Sequence, residues 1–175
     1  MVSASTDITE VLAALATVEP NAPIRALLAE VECTRAHISD APVAQEGKDA
    51  ADRTLALIRS YLDGDTSADQ CEEEGLSLLV YTEGLSAKFP RFPTDVGCYL
   101  QACSQLAITV GRNTPEQHAS IVGELLNSAD WPTLDASRGA LLDHLRATLY
   151  KLTAKSAISN FARSRNSLLT ESPGR

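Results

Sequence analysis

Apolar residues recur at the three- and four-residue spacing of an α-helix along almost the whole chain. No segment alternates apolar and polar residues over the length of a strand, so no region offers a pairing partner for a sheet. Proline-containing breaks, which interrupt backbone hydrogen bonding, separate the periodic segments at 19–23, 40–42, 89–93 and 130–132. The pattern predicts an all-α, single-domain bundle of about seven helices.

The stretch from Asp63 to Phe89 is an acidic turn followed by an apolar run, and it predicts the central helix of this bundle. Ser67 can cap the first free amides, and Gln70 can complete a capping box. The run 76–81 then covers most of a helix circumference, which is typical of a helix buried on all sides. Periodicity does not separate a helix from a buried strand in so short a run, but the cap favours a helix.

The length of 175 residues fits one domain with a sizeable core. We expect a helical domain over residues 1–169 and a disordered C-terminal end over 170–175. Hydrophobic residues make up 44% and charged residues 22%, a balance typical of soluble globular proteins. No apolar run approaches the roughly 20 residues of a membrane span, and no signal peptide is visible. The sequence therefore predicts a cytoplasmic protein without membrane association.

The net charge of −8 is distributed unevenly. Residues 1–137 carry a net charge of −13, whereas the chain from Arg138 onward carries +5. An acidic body makes nucleic acid an unfavourable ligand, because phosphate contacts need a basic surface. A protein partner, and in particular a basic one, fits better. The residues that we expect to carry the contact are Asp69, Glu72, Glu73, Glu74, Lys151, Lys155, Arg163 and Arg165.

Carboxylate and hydroxyl side chains in the turn 63–74 have spacings that a calcium ion can use. The turn resembles an EF-hand loop at positions 1, 3, 5 and 12, which are occupied by Asp63, Asp65, Ser67 and Glu74. It departs from that loop at Ala68, where the sharp turn needs glycine, and at Gln70, where an apolar residue is usual. Helix capping explains the same residues without a metal. A calcium-responsive module is therefore an alternative.

Cys33 and His37 are four residues apart, so both project from the same face of a helix. Such a pair can supply two metal ligands, or a thiol beside a general base. With Glu30, the pattern E-x-x-C-x-x-x-H resembles the C-x-x-C-x-x-x-H motif of helical alkylhydroperoxidase-like proteins. Glu30 replaces the first cysteine that this redox chemistry requires. A helix surface with a partly buried Cys and His is the competing interpretation, and a small thiol or metal-dependent enzyme is the second alternative.

Apart from the pair Cys33 and His37, the cysteines and histidines give no catalytic signal. The four cysteines, at 33, 71, 98 and 103, form no CxxC pair and no zinc spacing, so we expect buried free thiols. His118 and His144 stand beside apolar stripes without the E-x-x-H spacing of di-iron bundles, so we expect them at the edge of the core. No phosphate-binding glycine loop or nucleophile elbow is present. The sequence implies no cofactor.

The favoured function is a non-catalytic helical protein-interaction module: a regulator, an adaptor or an antidote-like inhibitor. It rests on the acidic body, the basic C-terminal segment and the lack of a catalytic constellation. An acidic surface accelerates association with a basic partner. Self-association into a homo-oligomer also fits the apolar stripes. The pattern leaves open whether the basic C-terminal helix docks on its own body or on a partner.

Overall fold

The computed structural model describes residues 4–38, 42–112, 114–128 and 134–170. These ranges contain seven α-helices and no strand, which confirms the predicted all-α bundle. The segment 76–81 is helical, so the strand alternative is excluded. The helices are α1 (Ala4–Val18), α2 (Ala22–Arg35), α3 (Pro42–Asp63), α4 (Ala68–Lys88), α5 (Thr94–Thr109), α6 (Pro115–Ser128) and α7 (Leu134–Thr170).

The end of α3 and the start of α4 lie where local sequence signals place them. The Ser67 hydroxyl accepts a hydrogen bond from the Gln70 backbone amide at 3.3 Å. The Gln70 side chain accepts one from the Ser67 amide at 3.2 Å, which completes the predicted capping box at the start of α4. Gly64, at φ +88°, has the left-handed conformation that glycine adopts most easily, and it follows the end of α3. Local chemistry therefore determines where α3 ends and α4 begins.

Helix α5, and not α4, lies at the centre of the bundle. It packs against α2, α3, α4 and α6, and its residues Tyr99, Leu100 and Leu106 are fully buried. In the described part of the chain, α4 contacts only α3 and α5. The prediction that the helix after Asp63 is the central one is therefore wrong. An apolar run around a helix does not reveal how many of its sides have neighbours.

Two glycines allow close approach to α5. A Cβ atom on Gly75 would lie 2.8 Å from the carbonyl oxygen of Ser104, and one on Gly47 would lie 3.0 Å from Cδ1 of Leu100. Glycine inside a helix costs about 1 kcal/mol relative to alanine. The contact between α4 and α5 explains why the chain accepts that cost at Gly75.

Helix α7 is packed over its first half. Leu141, Leu142 and Leu145 are buried, mainly against α1, and Leu149 and Leu152 extend the contact at the edge of the core. Among the described side chains, Leu152 is the last of α7 to pack on the core. The helix continues to Thr170, roughly 27 Å further at 1.5 Å per residue.

Thr170 is thus helical, although disorder was expected from this residue onward. The rest of the predicted disordered end, 171–175, lies outside the described residues. Among the helices described, none has a stretch both long and apolar enough to cross a lipid bilayer.

Candidate interaction surface

Helix α4 divides into a packed side and an exposed side. The packed side is a stripe of buried residues at alternating four- and three-residue steps: Cys71, Gly75, Leu78, Thr82 and Leu85. The opposite side follows the same steps and is exposed along its length. We call this side the outer face of α4 and define it by Asp69, Glu73, Leu76, Val80, Glu83 and Ala87.

Large apolar side chains are exposed at the middle of the outer face. Leu76 is 48% exposed and Val80 is 67% exposed, and the two stand one helical turn apart. Two exposed aliphatic side chains one turn apart on a helix can pack against the apolar stripe of a second helix. This pair is the main apolar feature of α4 that the fold itself leaves uncovered.

Acidic residues surround this apolar pair. Within the described ranges, none of Asp69, Glu73 and Glu83 forms an ion pair with a basic side chain. Their charges are therefore not neutralised by the described part of the chain. Asp69 and Glu73 were expected to carry a partner contact, whereas Glu83 was not identified from the sequence.

Two other predicted contact residues are used inside the fold. The Glu72 carboxylate pairs with the Arg112 guanidinium at 2.7 Å, which connects α4 to the segment after α5. Glu74 is partly buried, and its carboxylate accepts a hydrogen bond of 3.5 Å from the buried Thr54 hydroxyl on α3. The predicted acidic cluster is thus divided between the outer face and internal contacts.

A groove of about 410 Å³ lies beside the outer face. Leu79, Ala87 and Phe92 supply apolar surface to it, and Glu83 and Gln101 supply polar groups. Ala87 and Glu83 belong to both the groove and the outer face. The apolar surface of α4 therefore continues from an exposed ridge into a concave pocket that can hold one side chain of a partner.

The predicted basic residues of α7 lie elsewhere on the molecule. Lys151 and Lys155 are exposed, and neither has an acidic partner within the described ranges. Helix α7 contacts α1, α2 and α6 but makes no contact with α4 in the described structure. Arg163 and Arg165 belong to the helical backbone of α7, and their side chains lie outside the described residues.

The three residues of the thiol hypothesis, Glu30, Cys33 and His37, do not form a catalytic or metal-binding site of their own. Cys33 is exposed near the end of α2, and His37 is exposed just after it. Oε1 of Glu30 lies 2.5 Å from Nδ1 of His144, so the Glu30 carboxylate is engaged by α7. Burial raises the pKa of Glu30, and the neighbouring His144 partly offsets this effect. Glu30 therefore serves a contact between helices.

Two of the four residues of the calcium hypothesis have other roles in the fold. Ser67 caps α4, Glu74 contacts Thr54, and Asp63 and Asp65 are exposed. In the described part of the chain, no group of three or more His, Cys, Asp or Glu residues is arranged to hold a metal ion. The geometry supplies no ligand set for either the calcium or the Cys33 hypothesis.

The four cysteines differ in their surroundings. Cys71 and Cys103 are buried free thiols, as expected, and burial raises the pKa of Cys103 to about 12. Cys98 is half-buried and Cys33 is exposed, so the prediction that all four are buried is wrong. The two histidines differ as well: His118 is buried, which lowers its pKa, and His144 is half-exposed.

The exposure of Leu76 and Val80 was missed because the run 76–81 was interpreted as apolar on all sides. A signal was present in the sequence. The small and apolar residues from Cys71 to Leu85 stand at four- and three-residue steps, and this spacing indicates a single buried side.

No protein-family model, curated protein or solved structure matches this chain.

Proposed function

We propose that this protein is a non-catalytic interaction module whose outer face of α4 binds a basic amphipathic helix of a partner protein. One observation carries the proposal: Leu76 and Val80 are exposed one turn apart, between carboxylates that have no basic partner in the described chain. The protein then acts as a regulator, an adaptor or an inhibitor by occupying the partner's helix.

The apolar part of the surface supplies affinity. Complete burial of a Leu or Val side chain contributes about 1.5–3 kcal/mol. A partner helix with apolar residues at three- and four-residue spacing covers Leu76 and Val80 together. A larger side chain of the same helix fits the groove beside Leu79 and Phe92. The surface therefore favours an amphipathic helix over an extended peptide.

The acidic part of the surface favours a positively charged partner. Asp69, Glu73 and Glu83 attract Lys and Arg residues that flank the apolar stripe of the partner. Exposed charge pairs contribute little to affinity, but they steer the encounter and exclude acidic helices. The partner helix is accordingly expected to carry basic residues beside its apolar stripe.

Fluorescence anisotropy with two synthetic helical peptides tests the proposal. One peptide has a Leu/Ile stripe flanked by Lys, and the other has the same stripe flanked by Glu. The full chain should bind the Lys peptide and not the Glu peptide, with affinity that falls as salt rises.

The variant Val80→Glu should weaken binding of the Lys peptide by at least about tenfold. The control Glu10→Lys, which changes an exposed acid on α1, should leave it nearly unchanged. Equal affinity of the wild type and Val80→Glu for the Lys peptide would contradict the proposal.

A further inference from the structure

We infer that the outer face of α4 receives helix α7 from a second copy of this chain. This inference rests on the proposed function and names the partner of the same surface. It is argued from the exposed side of α7, from the charges of the two surfaces and from the position of α7 in its own chain.

The exposed side of α7 has the features required of the partner helix. Tyr150 is 76% exposed and Ile158 is 71% exposed, and both lie on one side of the helix with Ala154 between them at four-residue steps. Lys151 and Lys155 stand next to this line and are exposed. This side is therefore an apolar stripe with lysines along one edge.

The two surfaces are complementary in charge, and the shorter one fits within the length of the longer one. The outer face of α4 contributes Asp69, Glu73 and Glu83, whereas the facing part of α7 contributes Lys151 and Lys155. The outer face runs for roughly 27 Å, and the line from Tyr150 to Ile158 runs for roughly 12 Å, at 1.5 Å per residue. The exposed line of α7 thus fits within the length of α4.

The contacts of α7 within its own chain direct it away from α4. Leu141 and Leu145 hold the first half of α7 on α1, and His144 contacts Glu30 on α2. The described part of α7 makes no contact with α4 of the same chain. The matching surfaces are thereby separated within one molecule and are available to meet between two.

When each of two copies places its α7 on the outer face of α4 of the other copy, both surfaces are covered at once. Each copy contributes one α4 and one α7, so two identical contacts related by a two-fold axis close the assembly at two copies. This arrangement predicts a dimer in which every contact joins unlike helices. An association of α7 with α7, or of α4 with α4, would have a different response to mutation.

Sedimentation equilibrium of the full chain at a series of concentrations tests the inference. The wild type should be a dimer. Val80→Glu and Ile158→Glu should each raise the dissociation constant by at least about tenfold. Ser156→Glu, which adds the same charge on the opposite side of α7 from Ile158, should have little effect.

Mixing the two weakened variants identifies the contact. Val80→Glu retains an intact α7 and Ile158→Glu retains an intact α4, so the mixture should form a one-to-one complex through one remaining contact. With one variant fluorescently labelled, sedimentation velocity detects this complex.

A monomeric wild type, or a dimer that either variant leaves unchanged, would overturn the inference. In that case, binding of the Lys peptide to the Ile158→Glu variant decides separately whether the proposed function stands. That variant keeps the outer face of α4 intact and cannot present its own α7.

Discussion

Leu78 and Val80 stand two residues apart on α4, yet Leu78 is 3% exposed and Val80 is 67% exposed. Leu78 belongs to the stripe that packs against α3 and α5, and Val80 belongs to the outer face. The same helix therefore supplies part of the core on one side and a free apolar surface on the other.

This difference predicts that stability and binding can be changed independently on α4. Leu78→Ala should lower the free energy of unfolding by about 2–5 kcal/mol, because it leaves a cavity in the core. In the Ile158→Glu background, which weakens the proposed contact with α7 of a second copy, Val80→Ala should change it by less than about 0.5 kcal/mol, because it removes an exposed side chain. Urea denaturation followed by circular dichroism at 222 nm measures both values. Similar losses for the two variants would show that Val80 is packed.

The two glycines of α4 should respond to alanine with opposite signs. Gly75→Ala should lower the free energy of unfolding by about 1–3 kcal/mol, because its Cβ would lie 2.8 Å from the Ser104 carbonyl oxygen and the helices must separate. Outside the backbone of its own helix and its chain neighbours, no atom of the described chain lies within 4 Å of the Cβ position of Gly84, so Gly84→Ala should raise stability by about 0.5–1 kcal/mol. Urea denaturation of the two variants makes the comparison. A gain at Gly75 would be incompatible with the close approach of α4 to α5.

The Glu30 carboxyl should make stability depend on pH. Burial raises its pKa above the ordinary value of 4.5, so the native state holds this proton more tightly than the unfolded chain does. The resulting contribution to stability is complete below 4.5 and is lost as the pH rises through the raised pKa. Glu30→Gln should therefore become more stable relative to the wild type between pH 4 and pH 7, as measured by urea denaturation at a series of pH values.

His144 provides the control for this titration. It lowers the pKa of Glu30 through its charge and its hydrogen bond, so His144→Ala should raise that pKa further. The loss of stability with rising pH should then extend to higher pH than in the wild type. A difference between Glu30→Gln and the wild type that stays constant with pH would contradict this account.

The thiols should react with iodoacetamide in the order of their exposure. Cys33 is exposed and should be alkylated first, with Cys98 slower. Cys71 and Cys103 are buried, and burial raises the pKa of both thiols, so less of the reactive thiolate is present. Peptide mapping by mass spectrometry after timed alkylation gives the order. Native-state labelling of Cys103 as fast as that of Cys33 would contradict the packing around α5.

Local features of the fold were predictable from the sequence. The cap formed by Ser67 and Gln70, together with the prolines between helices, predicted the number of helices and the start of α4, because each of these signals acts within a few residues. The central position of α5 was not predictable in the same way. It depends on which helices meet, and amphipathic periodicity describes one helix at a time.

The candidate surface was predictable only in part for a related reason. The sequence does not distinguish the four acidic residues Asp69, Glu72, Glu73 and Glu74 from one another. In the structure, however, Glu72 forms an ion pair with Arg112, and Glu74 accepts a hydrogen bond from Thr54. Both partners are distant along the chain, and their positions follow from the packing of α3, α4 and α5. Only the tertiary structure distinguishes an acid used inside the fold from one presented to a partner.

The position of α5 also has a consequence for how the sequence can change over evolutionary time. Helices α2, α3, α4 and α6 all pack on it, so a substitution in α5 disturbs several interfaces at once. Leu76 and Val80 on the outer face of α4 are exposed and lie outside these interfaces, so a substitution there leaves the packing of the bundle unchanged. Descendants of this chain can therefore acquire a new binding specificity on α4 while they inherit an unchanged bundle.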